Sequence, residues 1–91
     1  MKKIASRDKL KIYGDLLSIL NQENTKEKIV LTRIQMRLNV PFDRLKSYIT
    51  ELENLGLIEK ETLLVTEKGK EYLREYDKVL DFMRRMGIAY M

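Results

Sequence analysis

The sequence predicts a single mixed α+β domain, mainly α, with the element order α-β-α-α-β-β-α. The first observation is the segment 40–73, in which a helical pattern leads into two short apolar runs around a polar turn and then into another helical pattern. The second observation is the length of 91 residues, which allows one modest core but no separate catalytic lobe. We therefore expect residues 1–91 to form one domain, with a basic arm at 1–8.

The first helix is predicted from a cap and an apolar stripe. Ser6 or Asp8 can cap its start, and the helical pattern ends near Asn21. The apolar residues that fall on one face are Leu10, Tyr13, Leu16, Leu17 and Leu20. This pattern is typical of a helix that packs one face on a core.

A strand, a short helix and a turn are predicted next. The residues at 29–31 are apolar and partly β-branched, which predicts a short strand that pairs with the later hairpin. Thr32 can cap a short helix that carries Ile34 and Leu38. The residues at 39–41 predict a turn, because Asn is common in turns and Pro suits the start of a helix.

The next helix, predicted at 42–55, has two distinct faces. Its apolar residues recur at three- and four-residue steps and predict a buried stripe of Phe42, Leu45, Tyr48, Ile49, Leu52 and Leu55. The opposite face carries Arg44, Lys46, Ser47 and Thr50. Cationic and hydroxyl groups of this kind suit DNA phosphates and base edges, although such a face is also common on helices that only meet solvent.

A hairpin and a final helix follow. Gly56 stands where a helix end needs a left-handed residue, and 57–58 begin an extended run. The polar residues at 59–62 separate this run from the apolar residues at 63–65, which predicts a small hairpin. Thr66 is a suitable N-cap for a helix over 67–86.

Two segments carry a family resemblance. The sequence ELENLGLIEKE, followed by LLVTEKGKEYL, resembles the winged-helix DNA-binding proteins of archaea and bacteria. It is most similar to small archaeal winged-helix regulators in which the last helix pairs two chains, over residues 10–86. The resemblance implies a winged helix-turn-helix fold, double-stranded DNA as a partner and a homodimer.

The resemblance also implies roles for individual residues. In the family pattern, the outward residues at the start of the second helix of the motif touch the major groove, which implies Arg44, Lys46, Ser47 and Thr50 here. The residues that would hold phosphate are Arg33, Arg37 and Lys60. Asp43 is an acidic residue at the start of this otherwise basic helix face, and its carboxylate could select or reject cytosine.

The charge distribution agrees with a nucleic-acid partner. Residues 1–11 hold five bases and one acid, and residues 26–48 hold six bases and two acids. Residues 49–77, in contrast, hold four bases and eight acids. Positive charge is therefore concentrated where a winged helix faces a duplex, whereas lysines scattered for solubility would not be segregated in this way.

The last helix carries a seam that its own domain has little surface to cover. Tyr72, Tyr76, Val79, Met83, Met86 and Tyr90 are spaced in a heptad pattern, with Leu73 and Leu80 beside them. We call these six residues the α4 seam, after the fourth predicted helix, α4, over 67–86. Tyr72 and Leu73 can pack in part on the same chain, whereas the portion past Val79 has little of its own domain to cover it. We therefore expect a dimer interface with a second copy that includes Tyr72, Tyr76, Val79, Leu80, Met83 and Met86. Gly87 is expected to end the helix.

Other function classes are disfavoured. The chain has no histidine and no cysteine, and its four glycines form no phosphate-binding loop, so neither an enzyme nor a metal or cofactor site is expected. The lack of a signal peptide or a membrane-spanning run predicts a cytoplasmic protein with no membrane partner.

The expected function is a sequence-specific transcriptional regulator, and two alternatives remain open. An architectural or partition-type protein would coat DNA with little sequence preference. A winged-helix module that docks onto other proteins would hardly bind DNA, and the acidic turn at Glu59 and Glu61 mildly favours that alternative. The sequence identifies neither a small-molecule effector nor a DNA target.

Overall fold

The computed structural model describes residues 3–24 and 29–88, with side chains from residue 9 onward, and these residues are mainly helical. Four helices follow one another along the chain: α1 (Lys3–Glu23), α2 (Leu31–Leu38), α3 (Phe42–Asn54) and α4 (Glu67–Arg85). α1 is the scaffold, because it packs against both α2 and α4, while α2 also packs against α3. None of the helices within the described ranges is long and apolar enough to cross a membrane.

The core lies where α1, α2 and α3 meet and extends to the segment before α4. Its fully buried side chains are Leu16, Leu17, Leu20, Ile34, Leu45 and Leu52. Leu57, Ile58 and Val65 close it beneath the start of α4. The stripe predicted for the first helix is thus buried at Leu16, Leu17 and Leu20, while Tyr13 is half-buried at its edge.

The first helix begins earlier than predicted, so residues 3–8 of the predicted basic arm are helical. α1 begins at Lys3, so neither Ser6 nor Asp8 is its N-cap. The physical reason is that residues 3–13 contain neither glycine nor proline and include several strong helix formers, so nothing stops the helix from continuing toward the N-terminus. Residues 1–2 lie outside the described ranges.

The predicted strand at 29–31 is also wrong. Val30 is extended and forms the N-cap of α2, and Leu31 is already helical, so Thr32 is not the cap. Leu31, Ile34 and Leu38 are spaced by three and four residues, which places Leu31 on the inward face of the helix. A short apolar run does not distinguish strand from helix. Here the burial of this helical face favours the helix.

The turn between α2 and α3 agrees with the prediction. Asn39 adopts a left-handed conformation with φ 62°, and its N–H donates to the Gln35 carbonyl at 2.8 Å. Pro41 is the extended N-cap of α3, which begins at Phe42. Asparagine tolerates the left-handed region better than most residues, so this turn is encoded locally.

The predicted hairpin is reduced to one antiparallel bridge between Ile58 and Val65. The Glu59 N–H donates to the Leu64 carbonyl at 2.9 Å, and the Thr66 N–H donates to the Leu57 carbonyl at 3.0 Å. Within residues 3–24 and 29–88 no longer strand forms, so the predicted α-β-α-α-β-β-α topology is not observed. Pairing is short because Gly56 ends one helix and Thr66 begins the next, leaving few residues between them.

Thr66 caps α4 as predicted. Its hydroxyl accepts a hydrogen bond from the Gly69 N–H at 3.1 Å and donates one to the Gly56 carbonyl at 2.7 Å. Gly69 is buried, and a Cβ there would overlap the Leu57 carbonyl and the Val65 side chain. The hairpin therefore packs directly on the first turn of α4. Gly87, with φ 75°, follows the end of α4, also as expected.

Candidate nucleic-acid interface

α3 is held by one face and presents the other to solvent. Its buried residues are Leu45, Tyr48, Ile49 and Leu52. The exposed residues on the other side are Asp43, Arg44, Lys46, Ser47 and Thr50, which we call the outer face of α3. All five are residues that the sequence assigned to DNA contact. The outer face is therefore fixed in position by the core behind it.

Two residues of the predicted buried stripe are not buried. Phe42 is 39% exposed and Leu55 is 46% exposed. They occupy the two ends of α3, where the helix extends past the core formed with α1 and α2. Periodicity identifies the inward direction of a residue, but it cannot tell how far along the helix the core reaches.

The outer face contains a shallow groove lined by Asp43, Lys46, Ser47, Thr50 and Glu51. The Thr50 hydroxyl donates to the Lys46 carbonyl at 3.1 Å, so this hydroxyl is partly engaged by its own helix. The groove brings a cation, two hydroxyls and two carboxylates together.

Asn54 is an exposed residue in line with the outer face of α3 that sequence reasoning missed. Asp43, Ser47, Thr50 and Asn54 are spaced by four, three and four residues, so they form one row along α3. The same periodicity that identified the apolar stripe could have found Asn54. An asparagine side chain can pair with the edge of adenine in the major groove.

Tyr13 connects α1 to α3 through Glu51. The Tyr13 hydroxyl donates to the Glu51 carboxylate, and the Lys9 ammonium lies 3.4 Å from the same carboxylate. Burial, together with the hydrogen bond to Glu51, raises the pKa of the Tyr13 phenol above its ordinary value. The ring of Tyr13 also meets Tyr48 edge to face, with centroids 6.5 Å apart. This contact fixes α3 against the scaffold helix.

Arg33 and Arg37, predicted to hold phosphate, both lie against a carboxylate of their own chain. Glu23, in the last turn of α1, is only 3% exposed. Arg37 donates from Nη1 to Glu23 Oε2 at 3.1 Å and from Nη2 to Gln22 Oε1 at 2.6 Å. Arg33 Nε lies 3.6 Å from Glu23 Oε1, an ion pair too long to count as a hydrogen bond.

The two arginine side chains remain about half-exposed, so phosphate contact stays a prediction. Their contacts with Glu23 nevertheless give them a structural role that the sequence did not reveal. A carboxylate in the last turn of a helix is disfavoured by the helix dipole and by burial, and the two guanidinium groups compensate for both effects.

Lys60 lies in the exposed turn between the paired residues Ile58 and Val65. Glu59 and Glu61 flank it and are exposed as well. The Glu59 carboxylate accepts a hydrogen bond from the Thr62 hydroxyl at 3.1 Å, which tightens the turn. The turn thus presents two acids beside the one base predicted to contact DNA.

The α4 seam divides into an inner and an outer part. Tyr76 is buried in its own chain above Gly14, and the Tyr72 hydroxyl donates to the Leu10 carbonyl at 2.9 Å. In the outer part, Met83 is partly buried, Val79 and Met86 are exposed, and Tyr90 lies outside the described residues. Leu80, beside the seam, is partly buried. Phe82, which the sequence analysis did not place in the seam, is 50% exposed beside them.

The described residues contain no group of three or more acids that could hold a metal ion. What the geometry defines is a helix-turn-helix protein with an anchored helix that presents polar and charged side chains, the class that binds nucleic acids. A family model for the winged helix-turn-helix domain matches residues 6–84, so the chain belongs to that family. Membership of the family supports DNA as the partner. Neither the curated proteins nor the solved structures contain a match.

Proposed function

We propose that this protein is a transcriptional regulator that binds specific sites on double-stranded DNA as a homodimer. In this proposal the protein is cytoplasmic, is not an enzyme, and places α3 in the major groove. Arg44, Lys46, Ser47 and Thr50 contact the duplex, and Asp43 discriminates between bases. At the edges of the major groove, the phosphates are approached by Arg33, Arg37 and Lys60.

The observation that carries the proposal is the outer face of α3. Arg44 and Lys46 are exposed in the first two turns of the helix, and the buried Leu45, Tyr48 and Ile49 hold the helix from behind. The N-terminal part of an α-helix carries partial positive charge, which adds to the attraction of these two cations for phosphate. A rigid helix whose N-terminal side chains are polar and exposed is what base-edge contact requires.

The α4 seam supports self-association. The seam residues Tyr72 and Val79, together with Leu10 and Leu57, line part of an apolar groove of about 410 Å³. The exposed Phe82 and Met86 lie further along the same helix. A second copy related by a twofold axis would cover this apolar surface and place two α3 helices on successive half-sites, roughly 34 Å apart.

The first test is selection of bound fragments from random duplex DNA, followed by binding measurements at several salt concentrations. Replacing Arg44 and Lys46 together by alanine should weaken binding by about 2 kcal/mol, roughly 30-fold in Kd. It should also reduce the salt dependence by up to about two phosphate equivalents if both groups contact the backbone. The matched control is Arg74→Ala with Lys78→Ala, which removes the same charge from exposed positions on α4.

The outcomes separate the three candidate functions. A recovered consensus and a selective loss in the Arg44→Ala, Lys46→Ala variant support a specific regulator. Binding without any consensus indicates a DNA-coating protein. The absence of DNA binding would favour a protein-docking module, for which the exposed Glu59 and Glu61 of the turn are the supporting observation. An equal loss in the α4 control would mean that only net charge matters, and would contradict α3 as the DNA-contacting helix.

A further inference from the structure

An aromatic side chain is exposed at the tip of α3. Phe42 is the first residue of the helix and is 39% exposed. Within the described residues, neither the buried core cluster nor the apolar side chains packed on it include Phe42. Phenylalanine contributes a large apolar surface, and leaving it in water forgoes the stabilisation that burial would give. The core therefore does not account for an aromatic residue at this position.

Phe42 lies next to one of the cations of the outer face. The Lys46 ammonium is positioned over the Phe42 ring, 5.7 Å from its centroid. The two residues are one turn apart, and side chains on a helix tilt toward its N-terminus. The ring and the ammonium therefore form one unit at the leading end of α3, where the helix would enter the groove.

The major groove offers one apolar group that such a ring can recognise. Thymine presents its C5-methyl group there, and apolar side chains, phenylalanine among them, distinguish thymine by contact with that methyl. The first residues of a helix docked in the groove are the ones that meet base edges. A lysine beside the ring can donate to the O6 and N7 atoms of a guanine nearby.

We infer that Phe42 determines base specificity by packing its ring against the C5-methyl group of a thymine in the DNA site. This inference rests on the proposed function, because it requires α3 to lie in the major groove. It goes further by naming the base and the atom that are recognised. Lys46 keeps the ring at the leading end of the helix and contacts the neighbouring base pair or its phosphate.

The test removes the methyl group from the DNA. In the duplex recovered by selection, each thymine is replaced in turn by deoxyuridine, which keeps the base pair but lacks the methyl. At one position in each half-site, wild-type protein should bind the deoxyuridine duplex about three- to five-fold more weakly, the size expected for the burial of one methyl group. Phe42→Ala should bind both duplexes equally, because it has no ring to contact the methyl.

Leu55→Ala is the matched control. Leu55 is the exposed apolar residue at the other end of α3, so its loss should leave the full difference between thymine and deoxyuridine. A second variant, Phe42→Gln, retains a longer side chain and should also abolish the difference. Circular dichroism establishes that each variant is folded before its binding is compared.

Several results would overturn the inference while DNA binding itself stands. One is a wild-type protein that tolerates deoxyuridine at every thymine, a result that needs no variant to fold. Another is a Phe42→Ala variant that keeps the preference for thymine, and a third is selection without any consensus. If wild-type protein binds no duplex, or if loss of Arg44 and Lys46 has no effect, the proposed function fails and the inference fails with it.

Discussion

At the scale of single residues, the most informative position is one without a side chain. By helix propensity alone, Gly69 is the weak point of a helix-favouring run. In the structure its Cα faces the Leu57 carbonyl and the Val65 side chain, so the hairpin can reach the first turn of α4. A backbone carbonyl cannot rotate away in the manner of a flexible side chain. Close packing, and not helix preference, therefore explains this glycine.

The first stability prediction is that Gly69→Ala destabilises the protein. Replacing an exposed glycine inside a helix by alanine raises the free energy of unfolding by about 1 kcal/mol. Here the added methyl would instead overlap backbone atoms, and overpacking of this kind costs about 1–3 kcal/mol. We expect urea denaturation to show a lower midpoint for Gly69→Ala, and a change below about 0.5 kcal/mol for the exposed neighbour Lys70→Ala. A raised midpoint for Gly69→Ala would show that α4 does not pack this closely on the hairpin.

At the scale of elements, α1 and α2 are joined by ion pairs in which the carboxylate is buried and the arginines are half-exposed. Glu23 in the last turn of α1 meets Arg33 and Arg37, which are four residues apart on α2. The spacing of one helical turn allows both guanidinium groups to approach one carboxylate. Because α2 also packs against α3, these ion pairs help to set the position of the helix proposed to meet DNA.

The second stability prediction concerns this carboxylate. Glu23→Gln keeps the side-chain size but leaves two guanidinium groups beside a neutral amide. The arginines are half-exposed, so water compensates part of the loss, and we expect destabilisation of about 1–2 kcal/mol rather than the full cost of breaking a buried pair. The free energy of unfolding in urea measures the effect. Glu75→Gln, which removes an exposed pair with Lys78, is the control and should change it by less than about 0.5 kcal/mol.

At the scale of the whole molecule, apolar surface remains on the outer part of α4 after the chain has folded. Tyr76 is covered by α1, whereas Val79, Phe82 and Met86 are not covered within the described chain. Exposed apolar residues that follow one face of a helix are typical of an interaction surface. The proposed homodimer would bury this face against the same face of a second copy.

The prediction at this scale is that charge on the outer seam prevents dimer formation. Val79→Glu with Met83→Glu would place unpaired carboxylates in the proposed interface, at a cost that favours monomers. Light scattering should report a dimer for wild-type protein and a monomer for the double variant. Affinity for a DNA site with two half-sites should fall far more than affinity for a single half-site. Asp77→Ala, at an exposed position of the same helix that does not line the apolar groove, is the control.

A dimer that persists in the double variant would place the partner surface elsewhere. Helical periodicity places Ile4, Ile12 and Ile19 off the predicted apolar stripe of the first helix, which makes them the next candidates. Ile19 is buried in the core, and Ile12 packs partly against it, so neither is a large exposed surface. The side chain of Ile4 lies outside the described ranges.

Local signals were sufficient where one residue type decides a backbone conformation. Asn39 at the end of α2, Gly56 after α3 and Thr66 before α4 stand where the sequence predicted helix boundaries. These features depend on left-handed backbone conformations and on a side-chain cap, which a few neighbouring residues specify. The outer face of α3 was predictable for a related reason, since helical periodicity fixes which residues point together.

The tertiary structure decided what depends on residues distant in sequence. In the folded chain the apolar run at 29–31 leads into the start of α2 and is not a strand, and Phe42 is exposed beyond the end of the core. The tertiary structure also brought Arg33 and Arg37 to Glu23, and Tyr13 to Glu51. The sequence by itself determined a helix-turn-helix domain with a polar face on α3, because local geometry repeats along the chain. Burial and ion pairing depend on which helices meet, and only the folded chain determines that.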